Sequence, residues 1–423
     1  MSLHAYGFPE DAVRSRARDG TGRAFPPRED YGNHMFGSDP GAGLAQADAI
    51  DRLRIIPPAF TPGRMRKLIE LGREPHHSDV ELETNVGGFR SPLPLYISAL
   101  GSTQVADADL GHALCSQAGQ LGIPMVIGEN IMPSYGYGRL NDESGRTLQS
   151  RIETYCRELP DGIGGIAVQQ STEDADAEVW NMVYSDPRVE PLLASGRLGF
   201  EIKVGQGAKP GLGGMTVMDS CGATAAAERF ALDAVLGDGV DDVLRCASPG
   251  TFTEEILRHQ VHLMRSNFPR VKVWVKLHPS RDVREAAMTA WEAGADAVTV
   301  DGAEGGSGWA PLSFLNHVGL PLGECLSRIG AHRGHCLLAS GRMWDGARVI
   351  KSLALGARAA GLGRAAFLAA HEDSHRGLIR LIDCIALEAK MLVSALGKYD
   401  VGQVSSEDVW PWPKDPCDDM CVP

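Results

Sequence analysis

The sequence predicts an α/β protein, a (βα)8 TIM barrel with an N-terminal extension and a C-terminal tail. Three observations predict it. Past residue 92 short apolar runs alternate with segments of helical periodicity, the mark of βα repetition and a parallel sheet. The length, 423 residues, is one that a decorated barrel commonly reaches. And 50 glycines with 25 prolines, in a chain that is 43% hydrophobic and 22% charged, favour many tight turns over disorder.

The first 90 residues are rich in Pro, Gly and charge and form an extension or cap. An amphipathic helix is predicted over 62–72 and a β-pair near 80–88. The barrel is assigned to 91–370. Its candidate strands are "LPLYIS" (93–98), "PMVIG" (124–128), "GIAVQQ" (165–170), "LGFEIKV" (198–204), "DVLRCA" (242–247), "KVWVKLH" (272–278), "DAVTVDG" (296–302), "HCLLASG" (335–341) and "AAGLGR" (359–364). That is nine candidates for eight places, and one of the two around 200 and 245 is an extra strand. Helical segments such as "REAAMTAWEAG" (284–294) and "GARVIKSLALGA" (346–357) separate them, each with one apolar stripe and a glycine at its end. Residues 371–423 read as a helix and an acidic tail packing on the barrel. A doubly wound open sheet satisfies the same periodicity.

A formal net charge of −13 disfavours nucleic acid and anionic lipid as partners and leaves a small molecule as the expected one. Nine scattered cysteines fit a reducing compartment. The N-terminus lacks an apolar signal core, and no run of about 18 apolar residues occurs. The expected location is the cytoplasm.

In a barrel, catalytic groups lie at the C-terminal ends of strands and phosphate binds after the seventh and eighth. At that place stand "ASGRMWDGARV" and "GLGRAAFLAA", each a strand followed by Gly, Arg and a helix. Amide groups at a helix N-terminus bind phosphate, and glycine permits its close approach. Gly341, Arg342, Gly363 and Arg364 are therefore candidate phosphate ligands, tight turns being the plainer alternative. In "KVWVKLH" the alternation turns Trp274, Lys276 and His278 inward. A lysine there needs an anion. The N1–C2=O2 edge of a flavin, negative on reduction, is one candidate, and a structural ion pair with Glu201 is the other. His278 reads as a satisfied core group. "TVDGAEGGSGWAPL" exposes successive amides after a strand, either as an anion-binding nest or as a lid.

"PLYISALGS", "IGEN", "SGRLGFEIKVGQGAKPGLGG", "VWVKL", "VDGAEGGSGWAPLSFLNHVGLPL" and "GARAAGLGRA" together resemble the FMN-binding barrel domain of glutamate synthase, in order and spacing over 91–370. The resemblance implies a barrel in which the N5 atom of FMN exchanges hydride with an amino or imino carbon. It implies that Ser98, Ala99, Glu129, Gln169 and Lys276 face the flavin. Gly305, Gly306, Gly341, Arg342, Gly363 and Arg364 would hold its phosphate and ribityl chain. Gln206, Lys209 and Arg229 would match the 2-oxoglutarate contacts, with the glycines of "GQGAKPGLGG" bending the loop so that Gln206 and Lys209 reach a carboxylate. Glu129 is the candidate for proton transfer, a capping role being the alternative.

The departures are as informative. Leu212 stands where the family has a glutamate. "SPGTFTEEI" replaces a histidine-rich loop. After residue 370 only Cys384, Cys417 and Cys421 remain, too few thiolates for an iron–sulfur cluster, so none is expected. The chain begins "MSLH" without a nucleophilic cysteine, and no G-x-G-x-x-G follows a strand. The expectation is an FMN-dependent oxidoreductase acting on the C–N bond of an amino acid or its imine, as a homo-oligomer. An electron-transfer or amidotransferase partner chain would supply what is missing. The alternatives are 2-hydroxy acid oxidation, flavin-assisted isomerisation, or a non-catalytic flavin-binding subunit.

Overall fold

The computed structural model describes residues 3–24, 48–100, 108–128, 148–170, 178–207, 215–218, 223–224, 227, 231–233, 243–246, 252–305, 314, 317–332 and 334–411. Eight parallel strands form a closed ring: β1 Leu95–Leu100, β2 Met125–Ile127, β3 Ile166–Gln170, β4 Leu198–Lys203, β5 Lys272–Leu277, β6 Ala297–Asp301, β7 Leu337–Ser340 and β8 Ala359–Leu362. Each pairs with the next in sequence, and β8 returns to β1 through Ala360 opposite Leu95. Closure removes every sheet edge and decides against the open sheet.

The pleat sorts each strand into two faces. On β5, Val273, Val275 and Leu277 join the apolar shell beneath the helices, with Leu257, Val261 and Ala287. Trp274 joins an inner cluster with Tyr96, Val126, Ala167, Leu338 and Ala359. The N-terminal end of the barrel is stoppered by a hairpin, Thr84–Val86 with Phe89–Ser91, close to the predicted β-pair. The indole Nε1 of Trp274 donates to Gly87 O at 2.9 Å, and the Phe89 and Trp274 rings lie 5.4 Å apart. Gly165 and Gly199 make room for Phe89. A Cβ on them would fall 2.7 and 3.2 Å from its ring.

The ninth candidate strand resolves as the extra one. Val243–Cys246 pairs antiparallel with Met215–Met218 and with Ala231–Asp233 in a separate three-stranded sheet inserted between β4 and β5. A short apolar run reads alike in either sheet, because pairing direction leaves no mark within four residues.

The helix expected at 62–72 is Pro62–Leu71, ended by Gly72 in the left-handed region at φ 66°. A second helix in the extension, Glu10–Asp19, was not anticipated. Only Val13 and Ala17 of it are buried, too few to set a visible period among its charges. It packs on Arg364–Glu372 and on the long C-terminal helix Gly377–Ala395. Among the described residues no helix is long and apolar enough to cross a membrane. Residues 412–423, with Cys417 and Cys421, lie outside the described residues.

Candidate functional site

Above the apolar floor, the inward positions of the strands turn polar. β1 contributes Ser98, β3 Gln169, β4 Glu201 and Lys203, β5 Lys276, β6 Thr299 and Asp301, and β7 Ser340, all buried. Lys276 Nζ stands 3.6 Å from Asp301 Oδ2. The Ser340 hydroxyl donates to the other oxygen of Asp301. Glu201 accepts from Gln169 Nε2 at 2.5 Å and from Thr299 Oγ1 at 3.1 Å. Burial pushes the Glu201 carboxyl above its ordinary range, while Lys276, Gln169, Thr299 and Lys203 pull it back. Two lysines thus share the interior with two carboxylates, an arrangement that offsets the desolvation of each charge.

The carboxylate at ion-pair distance from Lys276 is therefore Asp301. Glu201, the partner considered from sequence, acts on the ammonium at longer range. Lys203 is opposite Lys276 in the strand register and is equally buried. Sequence reasoning passed over it, although the alternation that turns Lys276 inward also turns Lys203 inward in "FEIKV". His278 differs from its reading as a satisfied group. Its ring covers Gly205 at the exit of β4, where an added Cβ would fall 2.8 Å from Nδ1, and Nδ1 is buried with no hydrogen-bond partner among the described residues. Burial lowers its pKa, with Asp282 opposing.

A second cluster lies at the exits of β6, β7 and β8. Gly341 has φ +126°, and a Cβ there would sit 3.2 Å from Gly302 N, so only glycine lets the two loops touch. Arg342 follows at φ +56°, a left-handed conformation rare outside glycine. The next helix, Gly346–Ala354, has its N-terminus filled by carboxylates. Arg348 N donates to Asp345 Oδ1, and Gly346 N to Glu388 Oε2, each at 2.7 Å. Helix Arg364–Glu372 begins differently. Its N-cap is Gly363, with no side-chain cap and no acid in its first turn. Arg364 donates to Glu304 O; burial lowers its pKa, Asp301 opposes this, and the Arg342 guanidinium adds to it. Glu304 is pushed up to about 7 by burial and then by Asp48.

Of the residues proposed from sequence, Ser98, Gln169 and Lys276 meet inside the barrel. Ala99 packs against the same inner cluster, because the β1–β2 register shifts between Ile97 and Leu100. Gly305, Gly341, Arg342, Gly363 and Arg364 gather at the strand exits, and Gln206 is half-buried just past β4. Glu129, Lys209, Arg229 and Gly306 lie outside the described residues.

Residues 121–377, more than half of the chain, match the family described as a conserved region in glutamate synthase. The chain belongs to the glutamate synthase family. Within that family it is 35% identical over 262 residues to the glutamate synthase large subunit-like protein of Rhizobium meliloti (strain 1021), covering 49% of this chain and 58% of that protein. It is 32% identical over 196 residues to the archaeal glutamate synthase (NADPH) of Methanocaldococcus jannaschii, covering 42% and 38%. It therefore spans under two thirds of the length of either glutamate synthase relative. In fold it is similar to a soluble mutant of the membrane-associated (S)-mandelate dehydrogenase from Pseudomonas putida, with a TM-score of 0.54 at 19% identity over 95% of this chain and 99% of that one.

Proposed function

We propose that this member of the glutamate synthase family is an FMN-dependent oxidoreductase acting on the C–N bond of an amino acid or its imine. One observation carries the reading. A buried ammonium stands inside the barrel, and the neighbouring strand exits present an open helix N-terminus beside two arginines. The donor set fits FMN at both ends. The uncapped amides at Gly363 and Arg364, with the Arg342 and Arg364 guanidiniums, suit a phosphate monoester. Gly305 and Gly341 keep the approach clear of side chains. Ser98, Ala99 and Gln169 would hold the ring, and Lys276 would supply the positive charge that stabilises it on reduction.

When bound, FMN supplies hydride exchange at N5. The chain does the rest. Asp301 and Ser340 fix the Lys276 ammonium, so that it stabilises negative charge without reorganisation. Trp274 and the hairpin stopper close the floor against water. Gln206, Lys209 and Arg229 are proposed to hold the substrate carboxylate, and Glu129 to move the proton at nitrogen. A partner chain for electron transfer or ammonia delivery belongs to the same proposal, the match covering 58% and 38% of the two relatives.

The test is an absorption spectrum of purified protein followed by anaerobic titration with amino acids. Bands near roughly 370 and 450 nm that bleach with an amino acid are expected from flavin chemistry. A colourless protein that refuses added FMN ends the reading. Lys209→Ala should weaken binding of a 2-oxo acid and leave FMN in place.

A further inference from the structure

We propose that the N-terminal extension is a working part of the cofactor site, with Asp51 positioning Arg342 and residues Tyr6 and Phe8 positioning Arg364. The inference rests on the reading of the β7 and β8 exits as an FMN-phosphate site, and it adds residues from outside the barrel.

The short helix Ala49–Arg52 is seated on the strand exits by Asp48, whose Oδ1 accepts from Ile50 N and from Gly323 N, each at 3.1 Å. Gly323 allows the contact. A Cβ there would fall 3.0 Å from the same oxygen. From this anchor an alternating chain of charges runs to Arg342. Asp48 Oδ2 pairs with Arg348 Nη2 at 2.6 Å, Arg348 Nη1 with Asp51 Oδ1, and Asp51 Oδ2 with Arg342 Nη1 at 3.0 Å. The Arg348 side chain is 2% exposed and that of Asp48 0%, so the chain is built into the interior and is no surface ion pair. It ends on Arg342, whose left-handed backbone persists only where the surroundings over-determine it.

Arg364 is held from the other part of the extension. Its guanidinium lies 4.9 Å from the centre of the Phe8 ring, and its Nη1 donates to Tyr6 O at 3.5 Å while Nη2 donates to Glu304 O. A flexible arginine that grips phosphate loses rotamer freedom on binding, and one already fixed does not. Against this, Asp51 brings a carboxylate toward a phosphate. Its charge is shared by two arginines, however, and Arg364 is held through the backbone oxygens of Tyr6 and Glu304. Asp51, Tyr6 and Phe8 act through the arginines and are positioning residues.

FMN and riboflavin differ only in the phosphate, so the ratio of their dissociation constants isolates this end of the site. Both are measured by quenching of flavin fluorescence with the full chain and with Asp51→Asn and Phe8→Leu, folding being checked by thermal melts. The expected result is a preference for FMN in the unaltered protein that falls by about tenfold in Asp51→Asn and less in Phe8→Leu, with riboflavin affinity unchanged. Phe8→Leu carries the test alone if Asp51→Asn does not fold. An unaltered preference in the variants, or equal weakening of both flavins, overturns the positioning role while leaving the phosphate site standing. No preference for FMN in the unaltered chain removes the phosphate site itself.

Discussion

Inside the barrel Asp301 stands 3.6 Å from Lys276, and Ser340 fixes that carboxylate in turn. Lys276→Met should leave FMN bound and lower its two-electron potential by about 30–60 mV, or ~1.4–2.8 kcal/mol of lost stabilisation of the reduced form. Equilibration with a reference dye measures it, and an unchanged potential would remove Lys276 from the flavin. Glu304 offers a test independent of any ligand. Its folded pKa, about 7, lies above its ordinary 4.5, so the folded protein binds the proton more tightly than the unfolded chain. The stability this gives is present below 4.5 and is lost as pH rises through about 7. Glu304→Gln keeps an acceptor for Leu322 N, which now donates to Oε2 at 3.0 Å. It should raise unfolding free energy by on the order of 1–3 kcal/mol at pH 8 and by less toward pH 5, read from urea denaturation at both values.

At the scale of elements, the hairpin stopper and the uncapped helix make opposite predictions. Phe89 fills the space that Gly165 and Gly199 leave, so Phe89→Ala should cost about 3–4 kcal/mol by chemical denaturation with no direct effect on ligands. Gly363→Asp supplies the N-cap that helix Arg364–Glu372 lacks. It should add about 1 kcal/mol of stability and weaken FMN at least about tenfold, since the carboxylate occupies the place of the phosphate. A gain in stability with FMN affinity retained would show that the phosphate binds elsewhere. The strands of the barrel were legible one by one, because burial on both faces writes each as an apolar run. The same signal could not separate Val243–Cys246 from them, since whether a run pairs parallel or antiparallel is decided by strands distant in sequence. Helix Glu10–Asp19 was illegible for the converse reason, as two buried residues leave no period.

Taken whole, the molecule carries a net charge of −13, and among its cations Lys203, Lys276 and Arg348 are buried and Arg342 and Arg364 half-buried. At low salt it should pass unretained through a heparin or DNA column, where retention would reveal a basic face that the charge sum hides. These cations are of two kinds. Lys276, Arg342 and Arg364 follow from strand alternation and from Gly-Arg pairs after strands, and were visible in the sequence. The acids that hold the arginines, Asp48 and Asp51, lie about 290 residues away in the chain, in an extension whose composition marks it only as a cap.

The sequence alone determined the repeated βα pattern, the inward face of each strand and the Gly-Arg pairs at its end, because these are local properties read within a few residues. The folded structure decided which candidates close the ring and that Lys276 pairs with Asp301. It also decided that, among the described residues, one of the two helix starts is capped by carboxylates and the other carries no side-chain cap, and that the extension reaches the arginines. Each of those depends on groups distant in sequence meeting at a few ångströms, which strand register and chain closure fix and local pattern does not.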